Sequence, residues 1–344
     1  MHRLENDIKN KGYIPSWFLS TREEEKLNIE EKKKYYEKLR IFCKARKLAV
    51  TTPGATTIAP KLKRPTEKIA AWVCNILAGG PVEVVTDGFD SIPKEPVIFA
   101  STHQGILDNF IWLIDNHRHT IILHGAETNR ALLLAQLNTG LILVTKDKSK
   151  PEKRINSKLD MITLLLNGHS VFMCPETTWN LSPNKLHLPI NNGFLDVARK
   201  SGCPIVPVVI EYTYDTASEK ERIVRVHIRY EKAIYVKDDD GFDSKMEEYK
   251  ESISTARWEC IAEKGLFSRN EITNYEYINF LKGNYRNLKL GKISRERERN
   301  GMQGVREEFY VFHHINDIPW NEKGELLRTP EVERLKRINR AQGI

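Results

Sequence analysis

Residues 96–110 read PVIFASTHQGILDNF and combine a buried-strand pattern, a turn and the start of a helix. Val97–Ala100 form a short, continuous apolar run, which is typical of a strand buried on both faces. Gly105 eases a tight turn after this strand, and apolar residues then recur with helical spacing over 106–116. A strand that leads through a turn directly into a helix predicts an α/β fold.

Short apolar runs and helical patterns continue to alternate from residue 82 to about residue 236. Further strands are predicted at Val82–Val85, Ile121–Leu123, Leu141–Val144, Val171–Met173, Ile205–Ile210 and Val224–Ile228. Further helices are predicted at 129–137, 152–166, 191–200 and 243–262. The pattern therefore predicts an α/β domain over residues 65–262, with a central mixed, largely parallel sheet flanked by helices.

Two segments flank this domain. Residues 1–64 are basic and predict a helical N-terminal segment with one exposed helix over 20–48. Residues 263–344 are predicted to be a charged C-terminal extension, and the sequence does not indicate its role.

A second helix is predicted directly after Pro65, and its apolar stripe consists of Ile69, Trp72, Val73, Ile76 and Leu77. Stripes with this spacing usually face a protein core, so we expect this one to pack on the domain. Basic residues precede the stripe, which leaves docking at a membrane interface as the alternative.

The net charge of +8 originates entirely in the first 64 residues, which hold 16 Lys or Arg against 8 Asp or Glu. Such a segment can attract anionic lipid headgroups or an acidic carrier protein, or it can simply be solvated. No aromatic-interleaved binding motif accompanies the charge, so we expect no nucleic-acid partner.

The five cysteines are widely spaced and contain no C-x-x-C pair, so the sequence indicates neither a disulfide framework nor a zinc site. No stretch approaches the ~20 apolar residues that cross a bilayer. We therefore expect a cytoplasmic protein without a metal, either soluble or peripheral on the inner face of the membrane.

His103 and Asp108 are the first candidates for chemistry. Residues five apart on a regular helix point about 140° apart, so these side chains can meet only if His103 lies in the turn. A neutral imidazole can accept a hydroxyl proton while a carboxylate on its other nitrogen fixes the tautomer. The spacing alone is a weak signal, since His2 and Asp7 repeat it in a polar terminus. A strand-end His bonded to a helix-capping Asp is the structural alternative.

Three more blocks follow in order: GLILVTK at 140–146, PETT at 175–178 after a strand, and PIVPV at 204–208. Their order and spacing resemble the glycerol-phosphate and lysophosphatidate acyltransferases, whose blocks are H-x-x-x-x-D, G-x-I-x-V-x-R, P-E-G-T and V-P. The resemblance covers roughly residues 67–236. It implies transfer of a fatty acyl group from an acyl thioester to a hydroxyl of a glycerol-phosphate or lysophospholipid acceptor. The thioester would be acyl-coenzyme A or acyl-acyl carrier protein, and the reaction would need no cofactor.

The resemblance also implies roles for individual residues. His103 corresponds to the general base and Asp108 to its partner, and the implied acceptor-binding residues are Lys146, Glu176, Thr177 and Thr178. Lys146 stands where the family usually has Arg, which keeps the charge and loses the bidentate fork. Thr177 replaces a Gly that would allow positive φ. Both departures leave the identity of the acceptor open.

Two other functions fit these departures. The acceptor could be an amine or a non-glycerol alcohol, or the chain could be a catalytically degenerate member that acts as a peripheral lipid-binding protein. Lipid binding without thioester turnover would distinguish the lipid-binding protein from an acyltransferase. The sequence has no P-loop, G-x-G-x-x-G or G-x-S-x-G motif, which argues against nucleotide-dependent chemistry and serine hydrolysis.

Overall fold

Among the residues that the structure describes, seven strands form one sheet at the centre of the protein. The computed structural model describes residues 12–48, 63–105, 107–115, 120–125, 141–144, 151–177, 186–215 and 222–264. The strands are β1 (Glu83–Asp87), β2 (Ile98–Ser101), β3 (Thr120–Gly125), β4 (Leu141–Val144), β5 (Ser170–Met173), β6 (Ile205–Asp215) and β7 (Arg222–Tyr230). Their order across the sheet is β1–β7–β6–β2–β5–β3–β4. Neighbouring strands pair in parallel, apart from the antiparallel pair of β6 and β7. The predicted mixed, largely parallel sheet is confirmed.

The helices of the described residues surround this sheet. They are α1 (Thr21–Glu24), α2 (Ile29–Ala45), α3 (Lys63–Ala78), α4 (Asp108–Asp115), α5 (Pro151–Leu166), α6 (Gly193–Ser201) and α7 (Phe242–Lys264). The helices predicted at 106–116, 152–166, 191–200 and 243–262 are thus found within a few residues of their expected bounds. The helix predicted at 129–137 and the C-terminal extension from 265 onward lie outside the described residues.

The two faces of the sheet are covered by different helices. Successive strand residues point to opposite faces, so Ile98 and Phe99 belong to separate clusters of buried apolar side chains. The Ile98 cluster includes side chains of α2, α5, α6 and α7, and the Phe99 cluster includes side chains of α3 and α4. The central strands are therefore buried on both sides, which explains their continuous apolar runs.

The sheet brings the chemical motifs to one edge. β2 lies between β5 and β6 and runs parallel to both, with Ile98 opposite Val171 on one side and Ile205 on the other. Parallel strands end at the same edge, so the segments that follow β2 and β5 come together there. These segments contain His103 and Glu176.

The N-terminal segment contains two helices, and the prediction of one exposed helix over 20–48 is wrong. Asn28 begins α2 with a capping box: its side chain accepts from the Glu31 amide at 3.0 Å, and the Glu31 carboxylate accepts from the Asn28 amide at 2.9 Å. One face of α2 is buried, with Tyr36, Leu39 and Cys43 in the core. The Lys and Glu residues that suggested exposure occupy its other face.

Buried ion pairs join the N-terminal segment to the domain. The fully buried ammonium of Lys200 on α6 contacts Glu24 at 2.6 Å and Asp196 at 2.9 Å. Arg46, just after α2, pairs with Asp160 of α5 where neither side chain is exposed. Removing one partner of such a pair costs about 3–5 kcal/mol, so residues 24–46 stabilise the whole domain.

Helix α3 differs from the expectation that its apolar stripe packs on the core. Ile69, Trp72 and Ile76 are 59%, 65% and 57% exposed, whereas Ala70 and Cys74 are buried on the other side of the helix. Small side chains allow α3 to approach α4 closely, and this leaves the larger apolar residues outside. No helix among the described residues combines the length and apolar character needed to span a bilayer.

Candidate active site

The turn after β2 is anchored to β6 before it reaches His103. The Thr102 amide donates to the Val208 carbonyl at 3.0 Å, and the Thr102 hydroxyl accepts from the Ile210 amide at 3.0 Å. Thr102 is fully buried, so these bonds are shielded from water. They fix the backbone from which the His103 side chain extends.

The structure brings His103 and Asp108 together. Nδ1 of His103 lies 2.7 Å from Oδ2 of Asp108, with the Asp108 side chain fully buried and 19% of the His103 side chain exposed. Because a carboxylate accepts, Nδ1 carries the proton in the neutral imidazole, and Nε2 is then the atom that can accept one. The pair therefore has the geometry of a base and its orienting carboxylate.

Asp108 has more partners than the sequence indicated. Oδ2 also accepts from the backbone amides of Gln104 at 2.7 Å and Gly105 at 3.1 Å. Oδ1 accepts from the hydroxyl of Tyr212, which lies on β6 and is buried. Sequence analysis missed Tyr212, and the only available signal was a phenol at the end of the apolar run of β6. With donors at both oxygens, the carboxylate is held in one orientation.

Glu176 follows β5 and lies beneath the same edge of the sheet. Its carboxyl is buried, and among the described residues no hydrogen bond of ordinary geometry reaches either of its oxygens. Burial raises the pKa of Glu176 to about 8, against the opposing influence of the Arg257 charge and the backbone amides of Leu188 and His103, while the Asp108 charge raises it further. The Glu176 carboxyl is therefore mostly protonated, and so mostly uncharged, at pH 7.

Thr177 adopts the left-handed backbone conformation that the family's glycine would permit. Its φ is 59°, and its amide donates to the Cys174 carbonyl at 3.0 Å in a tight turn. A β-branched residue in this region carries about 1–2 kcal/mol of strain. The chain thus makes a tight left-handed turn here with threonine at the position where the family motif has glycine.

Two of the sequence-predicted acceptor residues, Lys146 and Thr178, lie outside the described residues. The structure therefore places His103, Asp108, Glu176 and Thr177 at one edge of the sheet. Within the described ranges, no cluster of three His, Cys, Asp or Glu side chains could hold a metal ion.

At one edge of a largely parallel sheet, the structure thus holds a partly exposed His103 against a fully buried Asp108. The family model described as Acyltransferase matches residues 83–211 of this chain. This match agrees with the acyltransferase resemblance that the sequence motifs indicate. His103 and Asp108 lie within the matched segment, and Tyr212 is the residue directly after it.

One solved structure illustrates the likeness. The crystal structure of the 1-acyl-sn-glycerophosphate (LPA) acyltransferase PlsC from Thermotoga maritima is 19% identical in sequence and has a TM-score of 0.45, over 61% of this chain and 83% of that chain. No curated protein matches the sequence significantly.

Proposed function

We propose that the protein transfers a fatty acyl group from an acyl thioester to a hydroxyl of a glycerol-phosphate or lysophospholipid acceptor, with His103 as the general base. The observation that carries the proposal is the 2.7 Å contact between His103 Nδ1 and the buried carboxylate of Asp108. It orients Nε2 for proton transfer at a partly exposed position.

The proposed reaction is a direct transfer. Nε2 of His103 takes the proton from the acceptor hydroxyl as the acceptor oxygen forms a bond to the thioester carbonyl carbon. The carbonyl electron pair moves to oxygen and returns as the carbon–sulfur bond breaks. The departing thiolate then takes the proton from Nε2, so the enzyme regains its starting state. Asp108 stabilises the imidazolium that forms in between.

The acceptor side of the site is assigned to Lys146, Glu176, Thr177 and Thr178 by the family motif. Lys146 offers a point charge for an acceptor phosphate. The uncharged carboxyl of Glu176 would contribute a neutral donor and not a second negative charge beside Asp108. The donor is acyl-coenzyme A or acyl-acyl carrier protein, and the reaction needs no cofactor.

Thiol release from a long-chain acyl-coenzyme A tests this proposal, with glycerol 3-phosphate, lysophosphatidate and no acceptor compared. We expect acceptor-dependent release that falls about 10²- to 10⁴-fold in His103→Ala, the range for loss of a general base.

His227→Ala is a matched control, because His227 also pairs with an aspartate, Asp87, at 2.5 Å, and lies on β7 outside the cluster around Asp108. It should keep nearly full activity. Full activity of folded His103→Ala would refute the base assignment. Silence of every acceptor, with acyl-acyl carrier protein tried as well, would favour the lipid-binding alternative.

We further propose that α3 docks on an anionic membrane surface, which would place the protein on the cytoplasmic face of the membrane. Ile69, Trp72 and Ile76 lie at i, i+3 and i+7 on one exposed face of α3. The exposed Lys68 adjoins Ile69, and the helix begins with Lys63 and Arg64 in sequence. A basic helix with an outward apolar face suits an interface that carries negative headgroups. An amphiphilic acceptor would be met at that interface.

Sedimentation with phosphatidylglycerol-containing vesicles tests the docking face. Ile69→Ser combined with Trp72→Ser should weaken binding about 10- to 100-fold, because each side chain loses part of the roughly 1.5–3 kcal/mol of apolar burial. Ile41→Ser is the matched control, since Ile41 is an equally exposed apolar residue on α2. Equal binding of the double variant and this control would refute docking through α3. Removal of residues 1–64 is a poorer test, because it would break the buried ion pairs of Glu24 and Arg46.

A further inference from the structure

Arg257 on α7 lies outside the matched segment 83–211, yet it reaches the catalytic turn. It is 2% exposed and uses a different nitrogen for each of three partners. Nε donates to Glu211 Oε2 at 3.1 Å, Nη1 to the Leu186 carbonyl at 3.1 Å and Nη2 to Gln104 Oε1 at 3.3 Å. One side chain thus connects β6, the segment before α6 and the turn that contains His103.

Gln104 links this contact to the catalytic pair. It is the residue directly after His103, it is buried, and its amide donates to Asp108 Oδ2 at 2.7 Å. Its side chain is fixed by Arg257 and its backbone is fixed by Asp108. A displacement of the Gln104 side chain would therefore move the backbone segment that sets the distance between His103 and Asp108.

Helix α7 also braces the strand that leads into this turn. Tyr249, two turns before Arg257, is buried and donates to the Ala100 carbonyl of β2 at 3.2 Å. The contacts of Arg257 with Gln104 and of Tyr249 with Ala100 come from the sheet face opposite to Tyr212, so the turn is held from two sides. Glu211 supplies the countercharge that allows a guanidinium to be buried here.

We propose that Arg257 is a positioning residue for catalysis, whose guanidinium fork holds Gln104 and thereby the turn that presents His103 to the acceptor. The kinetic consequence rests on the proposed acyl transfer. The planar guanidinium directs donors to three separate acceptors at once, and the single ammonium of lysine cannot do this from one position. A positive charge at position 257 is therefore not sufficient to hold the turn.

Arg257→Lys tests the fork while the charge is kept. We expect kcat to fall about 100-fold, the effect of a displacement near 1 Å at a catalytic group, with KM within about threefold of the wild-type value. Arg46→Lys is the matched control: Arg46 is also buried and donates to three partners, Tyr13, Asn156 and Asp160, but away from the site. It should lower the melting temperature and leave kcat within about threefold. A kcat loss in Arg257→Lys no larger than in Arg46→Lys would overturn the proposal.

Gln104→Met tests the same link from the other end, which matters if Arg257→Lys folds poorly. It removes the acceptor for Nη2 and should reproduce the loss of kcat. Because the two residues act as one unit, the double variant should be no more than about threefold slower than either single one. Additive losses would contradict positioning through Gln104.

Hydrogen exchange separates this proposal from the proposed function. In Arg257→Lys, a peptide that contains the Gln104 and Gly105 amides should exchange at least tenfold faster than in the wild-type protein, and Arg46→Lys should leave it unchanged. Unchanged exchange in Arg257→Lys would overturn the positioning role even if acyl transfer is established. A wild-type protein without thioester turnover would refute the proposed function, and the exchange measurement would still decide whether Arg257 holds the turn.

Discussion

Tyr212→Phe removes a single oxygen atom from the support of Asp108. The Tyr212 hydroxyl donates to Asp108 Oδ1, and both side chains are buried. Phenylalanine keeps the ring and its packing in the apolar cluster on that face of the sheet. The change therefore isolates one hydrogen bond to the carboxylate that orients His103.

The size of the effect follows from the other bonds of Asp108. A hydrogen bond to a charged group contributes roughly 1.5–3 kcal/mol, which corresponds to a rate factor of about 10 to 150 if it is lost only in the transition state. Oδ2 keeps its bonds to His103 Nδ1 and to the amides of Gln104 and Gly105. The carboxylate stays tethered by one oxygen, so we expect the lower limit, about a tenfold decrease in kcat/KM with KM nearly unchanged.

Tyr230→Phe is the matched control for this measurement. The Tyr230 hydroxyl donates to the buried Asp115 at 2.7 Å, on the same face of the sheet but away from His103. Both variants should be destabilised by a similar amount in urea unfolding, and only Tyr212→Phe should lose activity in the thiol-release assay. Equal values of kcat/KM in the two variants would show that the Tyr212 bond stabilises the fold and has no part in catalysis.

Two further predictions concern the turn after β5. Glu176 binds a proton in the folded state up to about pH 8 but loses it near 4.5 when unfolded, so the free energy of unfolding falls as pH rises through this window, by at most about 1.4 kcal/mol per unit. Glu176→Gln, which mimics the neutral carboxyl, should abolish this contribution. In thermal unfolding, the stability of Glu176→Gln relative to the wild-type protein should therefore be greater at pH 8 than at pH 5. A stability difference that is the same at both pH values would contradict the buried neutral state. Thr177→Gly should raise the free energy of unfolding by up to ~1 kcal/mol in urea titration, because relief of left-handed strain exceeds the entropy cost of glycine. A decrease would argue against positive φ at this position.

The sheet could be predicted from sequence because its signals are local. Each inner strand, such as Ile98–Ser101 or Ser170–Met173, is an apolar run whose neighbours in sequence already show that both faces are buried. Glycines and polar segments mark where the runs end. The antiparallel pairing of β6 and β7 follows from their short connection, which permits a hairpin and not a crossover.

Which helix faces are buried could not be predicted from local sequence signals. The periodicity of α3 identifies its large apolar residues but does not show that the face with Ala70 and Cys74 is the one that packs. In α2 the charged residues outnumber the apolar ones, yet buried partners elsewhere, such as Asp160 for Arg46 directly after the helix, hold the segment against the domain. These outcomes depend on contacts between residues far apart in the chain, which periodicity within one segment does not contain.

The candidate site shows the same difference between contacts that are close in sequence and contacts that are distant. His103 and Asp108 are five residues apart, so a strand–turn–helix pattern was enough to bring them together. Tyr212 and Arg257 reach the same turn from 104 and 153 residues away, and neither belongs to a motif with recognisable spacing. Sequence reasoning found the groups that perform the proposed chemistry, and only the structure identified the groups that hold them.

The two carboxyl groups behind His103 have different surroundings. Asp108 receives donors at both oxygens from His103, Tyr212 and two backbone amides. Glu176 is equally buried, and its pKa is raised by burial and further by the Asp108 charge. Two negative charges at this depth would oppose each other, and a second one would compete with Asp108 for the imidazolium. A neutral Glu176 therefore leaves Asp108 as the carboxylate that pairs with His103, which is the arrangement that the proposed base requires.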